Sequence, residues 1–153
     1  MSISKNLALL NIDISKPPKA IGSYVAYKKT GKLIYISGQL PFKKDGSLIK
    51  GKIGLDIDLK TGQEAAHYCC VNLLAQLYQA CDGNLELVKN CVKITGYVNS
   101  IDNFEDQPKI INSASELIVK IFEDQGKHAR AAVSVNSLPL GVAVEVEAIF
   151  EIN

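Results

Sequence analysis

Apolar and polar positions alternate with a period of two in three stretches of the chain, and this alternation predicts β-strands. The stretch SYVAYKKTGKLIYISGQL predicts a hairpin, with strands at 24–27 and 33–37 that are rich in strand formers and a turn at Gly31. A further strand is predicted in NCVKITGYVNS, at 90–100. The closing stretch HARAAVSVNSLPLGVAVEVEAIFEIN, at 128–153, predicts two antiparallel strands around a Pro-Gly-bearing turn.

Two other stretches repeat their apolar residues at every third or fourth position, which predicts amphipathic helices. In TGQEAAHYCCVNLLAQLYQACDG, Thr61 and Glu64 have the spacing of a capping box, and Gly83 lies just beyond the last apolar position. The second helix has Pro108 in its first turn, where a missing N–H costs nothing, and ends at Gly126. The expected buried faces are Ala66, Cys70, Leu73, Leu74, Leu77, Ala80 and Cys81 in the first helix, and Ile110, Ile111, Ala114, Leu117, Ile118, Ile121 and Phe122 in the second.

The predicted order of elements is β-β-(β)-α-β-α-β-β in a single domain over 1–153. The bracketed strand falls in the less regular region 42–60, and residues 1–20 form an N-terminal extension packed on the domain. Two helices can cover only one face of such a sheet. The other face is rich in Val, Ile and Leu, so we expect another copy of the chain to cover it. The pattern therefore predicts an α+β fold and a homo-oligomer.

Composition and charge narrow the functional classes. The chain has 153 residues, of which 47% are hydrophobic and 22% charged, an ordinary balance for one domain. A formal net charge of +1 gives no electrostatic footprint for a nucleic acid, and no apolar run approaches the ~20 residues of a membrane span. The opening segment MSISKNLALLNIDISK is too polar for a secretion signal. These features argue against a nucleic-acid binder and against a membrane protein.

The cysteines and histidines have no metal-site spacing, because no C-x-x-C pair occurs and His67 and His128 are far apart in the sequence. We expect His67 on a helix surface and His128 in a solvent-exposed loop rather than at a cleft. Thiols within a predicted helix behave as small buried hydrophobes, which indicates a reducing, cytoplasmic setting. The cysteines are Cys69, Cys70, Cys81 and Cys91.

Charged residues interrupt the apolar pattern of the two closing strands. If these strands form a hairpin about Leu138 and Pro139, Arg130 lies opposite Glu147, and Glu145 lies on the same side of the sheet. The same side carries small residues, namely Ala132, Ser134 and Ala143, which leave room beside a guanidinium. Two explanations fit this pattern equally: a surface salt bridge, or a site in which the guanidinium binds a carboxylate and a glutamate holds a water.

Several motifs are similar to those of the Rid (YjgF) family, the reactive-intermediate deaminases that are also labelled L-PSP endoribonucleases. They are IGSYV at 21–25, SGQLP at 37–41, ARAAV at 129–133 and LPLGVAVEVEAI at 138–149. The resemblance extends from about residue 20 to 152. The long 42–60 region and NFEDQPKIINSASELIV resemble the longer, YjgF/chorismate-mutase-like branch. The resemblance implies a chorismate-mutase-like (bacillary type) fold with a curved mixed sheet, and a homotrimer with clefts between its subunits.

The resemblance also implies a set of site residues. Arg130 would bind the substrate carboxylate and Glu145 would be associated with the hydrolytic water. Tyr24 and Asn112 would line the cleft, and a neighbouring strand end would contribute Ser37 and Gly38.

One position departs from the pattern of the short deaminases, which usually carry a cysteine two residues beyond the arginine. Here that position is Ala132, which excludes a thiol nucleophile at this point. The resemblance implies hydrolysis of 2-imino or 2-enamino acids to 2-keto acids and ammonia, without a metal or organic cofactor. A non-catalytic trimer that binds small carboxylates is the alternative that Ala132 favours. An endoribonuclease is disfavoured by the net charge and by the absence of a paired histidine.

Overall fold

The computed structural model describes residues 2–153 as one mixed sheet with helices packed against one of its faces. Short 3-10 turns lie at Leu85–Leu87, Glu123–Gly126 and Pro139–Gly141. The helices and strands, in chain order, are α1 (Ile3–Leu9), β1 (Tyr27–Thr30), β2 (Leu33–Gln39), α2 (Leu59–Ala80), β3 (Val88–Asn99), α3 (Gln107–Phe122), β4 (Ala129–Val135) and β5 (Val144–Ile152).

The sheet has five strands in the order β1-β2-β5-β3-β4. Neighbouring strands are antiparallel except for β3 and β4, which are parallel and are connected through α3. A parallel pair needs such a crossover, because a tight turn can only reverse the chain. The predicted α+β class, with α2 and α3 on one face of the sheet, is confirmed.

The closing stretch is not a hairpin, so that prediction is wrong. Strand β5 lies between β2 and β3, and β4 forms the edge on the far side of β3. Arg130 is therefore paired with Ile94 of β3, and Glu147 with Thr95 of the same strand. Burial explains the order: one side of β5 is almost fully buried and requires a central position, whereas β4 is short and only partly buried. The buried residues of β5 are Val144, Val146, Ala148 and Phe150.

The first hairpin and the 42–60 region differ from prediction in detail. Strand β1 begins at Tyr27, so Tyr24 lies in the preceding loop rather than in a strand. Region 42–60 forms isolated β-bridges, such as that between Phe42 and Leu48, but no continuous strand. The bracketed strand is therefore absent from the described residues.

The ends of the helices also differ from prediction. Helix α2 starts before Thr61, and its N-cap is Asp58, whose carboxylate accepts a hydrogen bond from the Thr61 N–H at 2.8 Å. The prediction of a capping box formed by Thr61 and Glu64 is therefore wrong. Helix α3 ends at Phe122, and Gly126 closes the 3-10 turn that follows.

The predicted buried faces of both helices are confirmed, because every residue assigned to them is buried. Helix α1 packs against this layer, with Ile3 buried and the side-chain amide of Asn6 donating to the Ile121 carbonyl at 2.9 Å. The opposite face of the sheet is open in the single chain. We call it the open face; on it, Tyr35 and Val133 remain 44% and 45% exposed.

Candidate functional site

The residues singled out from the sequence fall into two separate groups. The first lies on the open face where β2 meets β5, and we call it the carboxylate face. It consists of Ser37, Gly38, Tyr97, Glu145 and Glu147. The second lies where β4 meets α3, and we call it the guanidinium corner. It consists of Asn112, Ser115, His128 and Arg130.

A bulge in β2 shapes the carboxylate face. Ile36 pairs with Ala148 and Gln39 pairs with Val146, so Ser37 and Gly38 together lie opposite one residue of β5. A Cβ on Gly38 would overlap the Glu145 carboxylate. The Glu145 side chain therefore lies directly over the Gly38 backbone, in space that the missing side chain provides.

The electrostatics of this face raise the pKa of Glu145. Burial raises the pKa of Glu145, and the nearby charge of Glu147 raises it further. Tyr97 donates a hydrogen bond from its hydroxyl to Glu147 Oε1 at 3.1 Å. The pKa of Tyr97 is raised by burial and by Glu147. A raised pKa makes the ionised carboxylate a stronger base, which suits acid–base chemistry.

Ser37 and Tyr24 border the same region. The Ser37 hydroxyl donates to the Val25 carbonyl at 2.7 Å, so its oxygen lone pairs stay available to accept a hydrogen bond. Tyr24 is 50% exposed, and its hydroxyl accepts from the Ile21 N–H at 3.4 Å. Tyr24 and Gly38 line one cavity of about 20 Å³, which has room for about one water molecule.

The guanidinium corner is built by α3 and β4. Arg130 Nη1 donates to Asn112 Oδ1 at 2.8 Å and to Ser115 Oγ at 3.2 Å. Asn112 and Ser115 are three residues apart and therefore share one face of α3. Ala132 lies on the same side of β4 as Arg130 and packs against the core. Among residues 2–153, neither Nε nor Nη2 of Arg130 has a hydrogen-bond partner, which leaves one edge of the guanidinium open to a ligand.

A hydrogen-bonded chain continues behind the arginine. Ser115 Oγ lies 2.8 Å from His128 Nε2, and His128 Nδ1 lies 2.6 Å from the Gly126 carbonyl oxygen. The expectation of a solvent-exposed His128 is therefore wrong, since the side chain is half-buried and both ring nitrogens have partners.

The two groups lie on opposite faces of the sheet. Arg130 is in register with Ile94, a buried residue that faces the helices. Glu145 and Glu147 alternate along β5 with the buried Val146, and so point to the open face. The expectation that Arg130 and both glutamates share one side is wrong, because it depended on the hairpin.

Sequence reasoning missed the contacts that Ser115, His128 and Tyr97 make. The spacing held a signal for the first two: Asn112 and Ser115 are three apart on a helix, and His128 lies just before β4, two residues ahead of Arg130. Tyr97 donates a hydrogen bond to Glu147 across the strand pair, and no local spacing indicates this contact.

Other chemistry is not indicated within the described part of the chain. No three potential metal ligands come together in residues 2–153. The cysteines are free and buried, and burial raises the pKa of the Cys91 thiol to about 12. None of the helices within 2–153 has the length and apolar character required to cross a membrane.

Comparison with known proteins identifies the family. Residues 5–151 match the family described as "YjgF/chorismate_mutase-like, putative endoribonuclease". Protein TCP17 of Trypanosoma cruzi is 39% identical over 152 residues, covering 99% of this chain and 94% of that protein.

Solved structures agree with the sequence match. Atu1372 of Agrobacterium tumefaciens, a protein of unknown function, superposes with a TM-score of 0.89 at 38% identity over 99% of this chain and 93% of its own. RidA of an Antarctic Psychrobacter superposes with a TM-score of 0.62 at 29% identity over 92% and 98% of the two chains. The chorismate-mutase-like fold is thereby confirmed, and the chain belongs to the YjgF/Rid family.

Proposed function

We propose that this protein hydrolyses short-lived 2-imino acids to 2-keto acids and ammonia, in clefts shared between the subunits of a homotrimer. The observation that carries the proposal is the separation of the two groups. Arg130 has an open guanidinium edge beside α3, and Glu145 has a raised pKa on the opposite face of the sheet. Each group is half of a site for a small carboxylic acid, and two chains are needed to bring the halves together.

The geometry supports a ring of subunits rather than a two-fold dimer. The carboxylate face of one chain would contact the guanidinium corner of the next, and these are different surfaces. Such a head-to-tail contact forms a ring when the rotation between neighbouring chains closes, and the trimer implied by family resemblance is the smallest such ring. The open face supplies apolar surface for this contact, around a cleft of about 360 Å³ lined by Tyr35, Ser37, Thr95, Glu147 and Ile149.

The chemistry assigns one task to each half of the cleft. The open edge of Arg130 would hold the substrate carboxylate through two parallel hydrogen bonds. Glu145 of the neighbouring chain would take a proton from water as the water oxygen bonds to the imine carbon. The same proton would then pass to the nitrogen, which gives a carbinolamine. Glu145 would next take the carbinolamine hydroxyl proton and pass it to the nitrogen, so that the C=O bond forms, the C–N bond breaks and ammonia leaves. Ser37 and Tyr24 would border the substrate, with Asn112 keeping Arg130 in place.

A coupled assay tests the activity. A pyridoxal-phosphate-dependent threonine dehydratase generates the imino acid, and formation of the 2-keto acid is followed with and without the protein. We expect acceleration by the wild type, little or none by Arg130→Ala or Glu145→Gln, and full acceleration by the control Glu151→Gln. Glu151 lies on the same strand as Glu145 but binds Lys89 and Asn90 instead. An unchanged rate with wild-type protein and several amino-acid substrates would refute the proposal.

A non-catalytic trimer that binds small carboxylates is the second candidate, and Ala132 in place of the usual cysteine favours it. Calorimetry showing that a 2-keto acid binds, with no acceleration in the coupled assay, would establish this alternative. The buried free thiols support the cytoplasm as the place of action in either case. The net charge of +1 gives no support to RNA cleavage.

A further inference from the structure

We infer that His128 is a positioning residue that acts through Ser115 to fix the orientation of the Arg130 guanidinium. The inference deepens the proposed function, on which its ligand-binding consequence rests. It goes beyond that function by assigning roles to two residues outside the set that family resemblance suggests.

The first step is the direction of the protons along the chain of hydrogen bonds. The Gly126 carbonyl oxygen can only accept, so His128 Nδ1, at 2.6 Å, must carry the proton. In the neutral ring, Nε2 then has only a lone pair, and the Ser115 hydroxyl donates to it across 2.8 Å. The lone pairs of Ser115 Oγ are left to accept from Arg130 Nη1 at 3.2 Å. The Gly126 carbonyl thus determines which atom donates and which accepts in each hydrogen bond from His128 to Arg130.

The second step is what this order does to the guanidinium. Nη1 has two hydrogens, and Asn112 and Ser115 accept them both. The guanidinium is planar, so two fixed contacts on one nitrogen fix the plane and direct the remaining Nε–Nη2 edge outward. That edge has the geometry for a bidentate carboxylate contact.

The third step separates positioning from direct contact with a substrate. Both ring nitrogens of His128 are occupied, one by Gly126 and one by Ser115. The imidazole therefore reaches the ligand only through Ser115 and Arg130. Removing it should loosen the arginine and weaken binding of the carboxylate, without removing a group that handles protons in the reaction.

The test uses variants that separate acceptor function from ring shape. His128→Leu removes the acceptor for Ser115, whereas the side-chain oxygen of His128→Gln replaces it. Ser115→Ala breaks the same chain one step later. His67→Leu is the matched control, since His67 lies on α2 and has its ring against Tyr68. Thermal unfolding of each variant confirms that it is folded before comparison.

The primary measurement needs no ligand. The heteronuclear NOE of the Arg130 Nε–Hε group reports how rigid the side chain is, and the side-chain ¹⁵N shifts of His128 report its tautomer. We expect the Nδ1–H tautomer, a rigid arginine in wild type, His128→Gln and His67→Leu, and a mobile arginine in His128→Leu and Ser115→Ala. A rigid arginine in His128→Leu, or the other tautomer in wild type, would overturn the inference.

Calorimetry with 2-oxobutanoate measures the consequence for binding. His128→Leu and Ser115→Ala should each raise Kd by about threefold to tenfold, the range for one lost hydrogen bond. The double variant should be no weaker than the weaker single variant, because both act through one chain of contacts. His128→Gln should stay within about twofold of wild type. Additive effects in the double variant would contradict the mechanism.

The two proposals fail in different ways. If wild type binds 2-oxobutanoate with this pattern but accelerates no imine hydrolysis, catalysis is wrong and the positioning role stands. If hydrolysis is accelerated and the arginine stays rigid in His128→Leu, the positioning role is wrong and the enzymatic proposal stands. If no carboxylate binds, the proposed function falls, and the arginine NOE still decides whether His128 and Ser115 hold the side chain.

Discussion

Gly38→Ala should abolish most of the activity while leaving the fold nearly intact. The new Cβ would overlap a Glu145 carboxylate oxygen and lie 2.8 Å from its Cδ and 3.1 Å from its Cγ. Non-bonded carbon atoms prefer separations of about 3.5–4.0 Å, so the Glu145 carboxyl carbon must move by roughly 0.7 Å or more. Displacements of this size cost about 100-fold in rate when the displaced group takes part in the chemistry.

The effect on stability should be small for two reasons. Gly38 does not have a positive φ, so an alanine meets no backbone strain there. The group that must move is the far end of a flexible side chain, and the unfolding free energy should change by no more than about 1 kcal/mol. Gly96→Ala is the contrasting variant, because its Cβ would lie 2.6 Å from Cγ1 of the buried Ile111. Such overpacking of a core costs about 1–3 kcal/mol.

The assay pairs urea unfolding with keto-acid formation in the dehydratase-coupled reaction. We expect Gly38→Ala to lose about 100-fold in kcat/KM with a nearly unchanged unfolding midpoint, and Gly96→Ala to lower that midpoint. Full activity in Gly38→Ala would refute the reasoning, since the Glu145 carboxylate could not then be needed at the place where the structure has it.

Further predictions concern Glu145, Arg130 and the α2 cap. The raised pKa of Glu145 means that the folded chain binds the proton more tightly than the unfolded chain, so this group's contribution to stability falls as pH rises from its ordinary pKa through the raised one. Glu145→Gln should therefore be at least as stable as wild type at pH 8, with the difference vanishing below about pH 4, in urea unfolding at both pH values. Arg130→Lys keeps the charge but lacks the planar fork, so calorimetry should show 2-oxobutanoate binding weakened by about tenfold or more. Asp58→Ala should cost about 1 kcal/mol of unfolding free energy, whereas Glu64→Ala should cost well under that, because Asp58 is the N-cap and Glu64 makes only an exposed contact with Lys43.

Local patterns in the sequence predicted the helices well. The buried face of α3, from Ile110 to Phe122, is fixed by a period that depends only on neighbouring turns of one helix. The ends of the helices were predicted less accurately. At the start of α2, Asp58 and Thr61 are both good N-cap residues, and only the packed chain decides between them.

The alternation pattern could not predict the order of the strands in the sheet. Alternation identified β4 and β5 as strands, but it carries no information on which strand lies beside which. The stretch β3-α3-β4 did hold a clue, since a helix between two strands is the usual connection of a parallel pair. The Pro-Gly-bearing turn at 138–141 suggested a reversal into a hairpin, whereas the chain passes β3 and enters the middle of the sheet.

The sequence analysis named candidate residues for the site, but it placed Arg130 and Glu145 wrongly relative to each other. Family resemblance pointed to Arg130 and Glu145; in the structure Arg130 donates to Asn112, and Glu145 lies over the Gly38 backbone. That they face away from one another depends on strand order, so the sequence placed them on one side. Ser115 and His128 became visible only when α3 and β4 were seen packed together.

Mixing two inactive variants tests most directly whether each cleft takes its arginine and its glutamate from different chains. Arg130→Ala and Glu145→Gln subunits are unfolded together in equal amounts, refolded, and measured in the coupled assay. In randomly mixed rings, roughly a quarter of the clefts pair an intact Arg130 with an intact Glu145 from the neighbouring chain, so about a quarter of wild-type activity should return. A mixture as inactive as its two components would contradict the account.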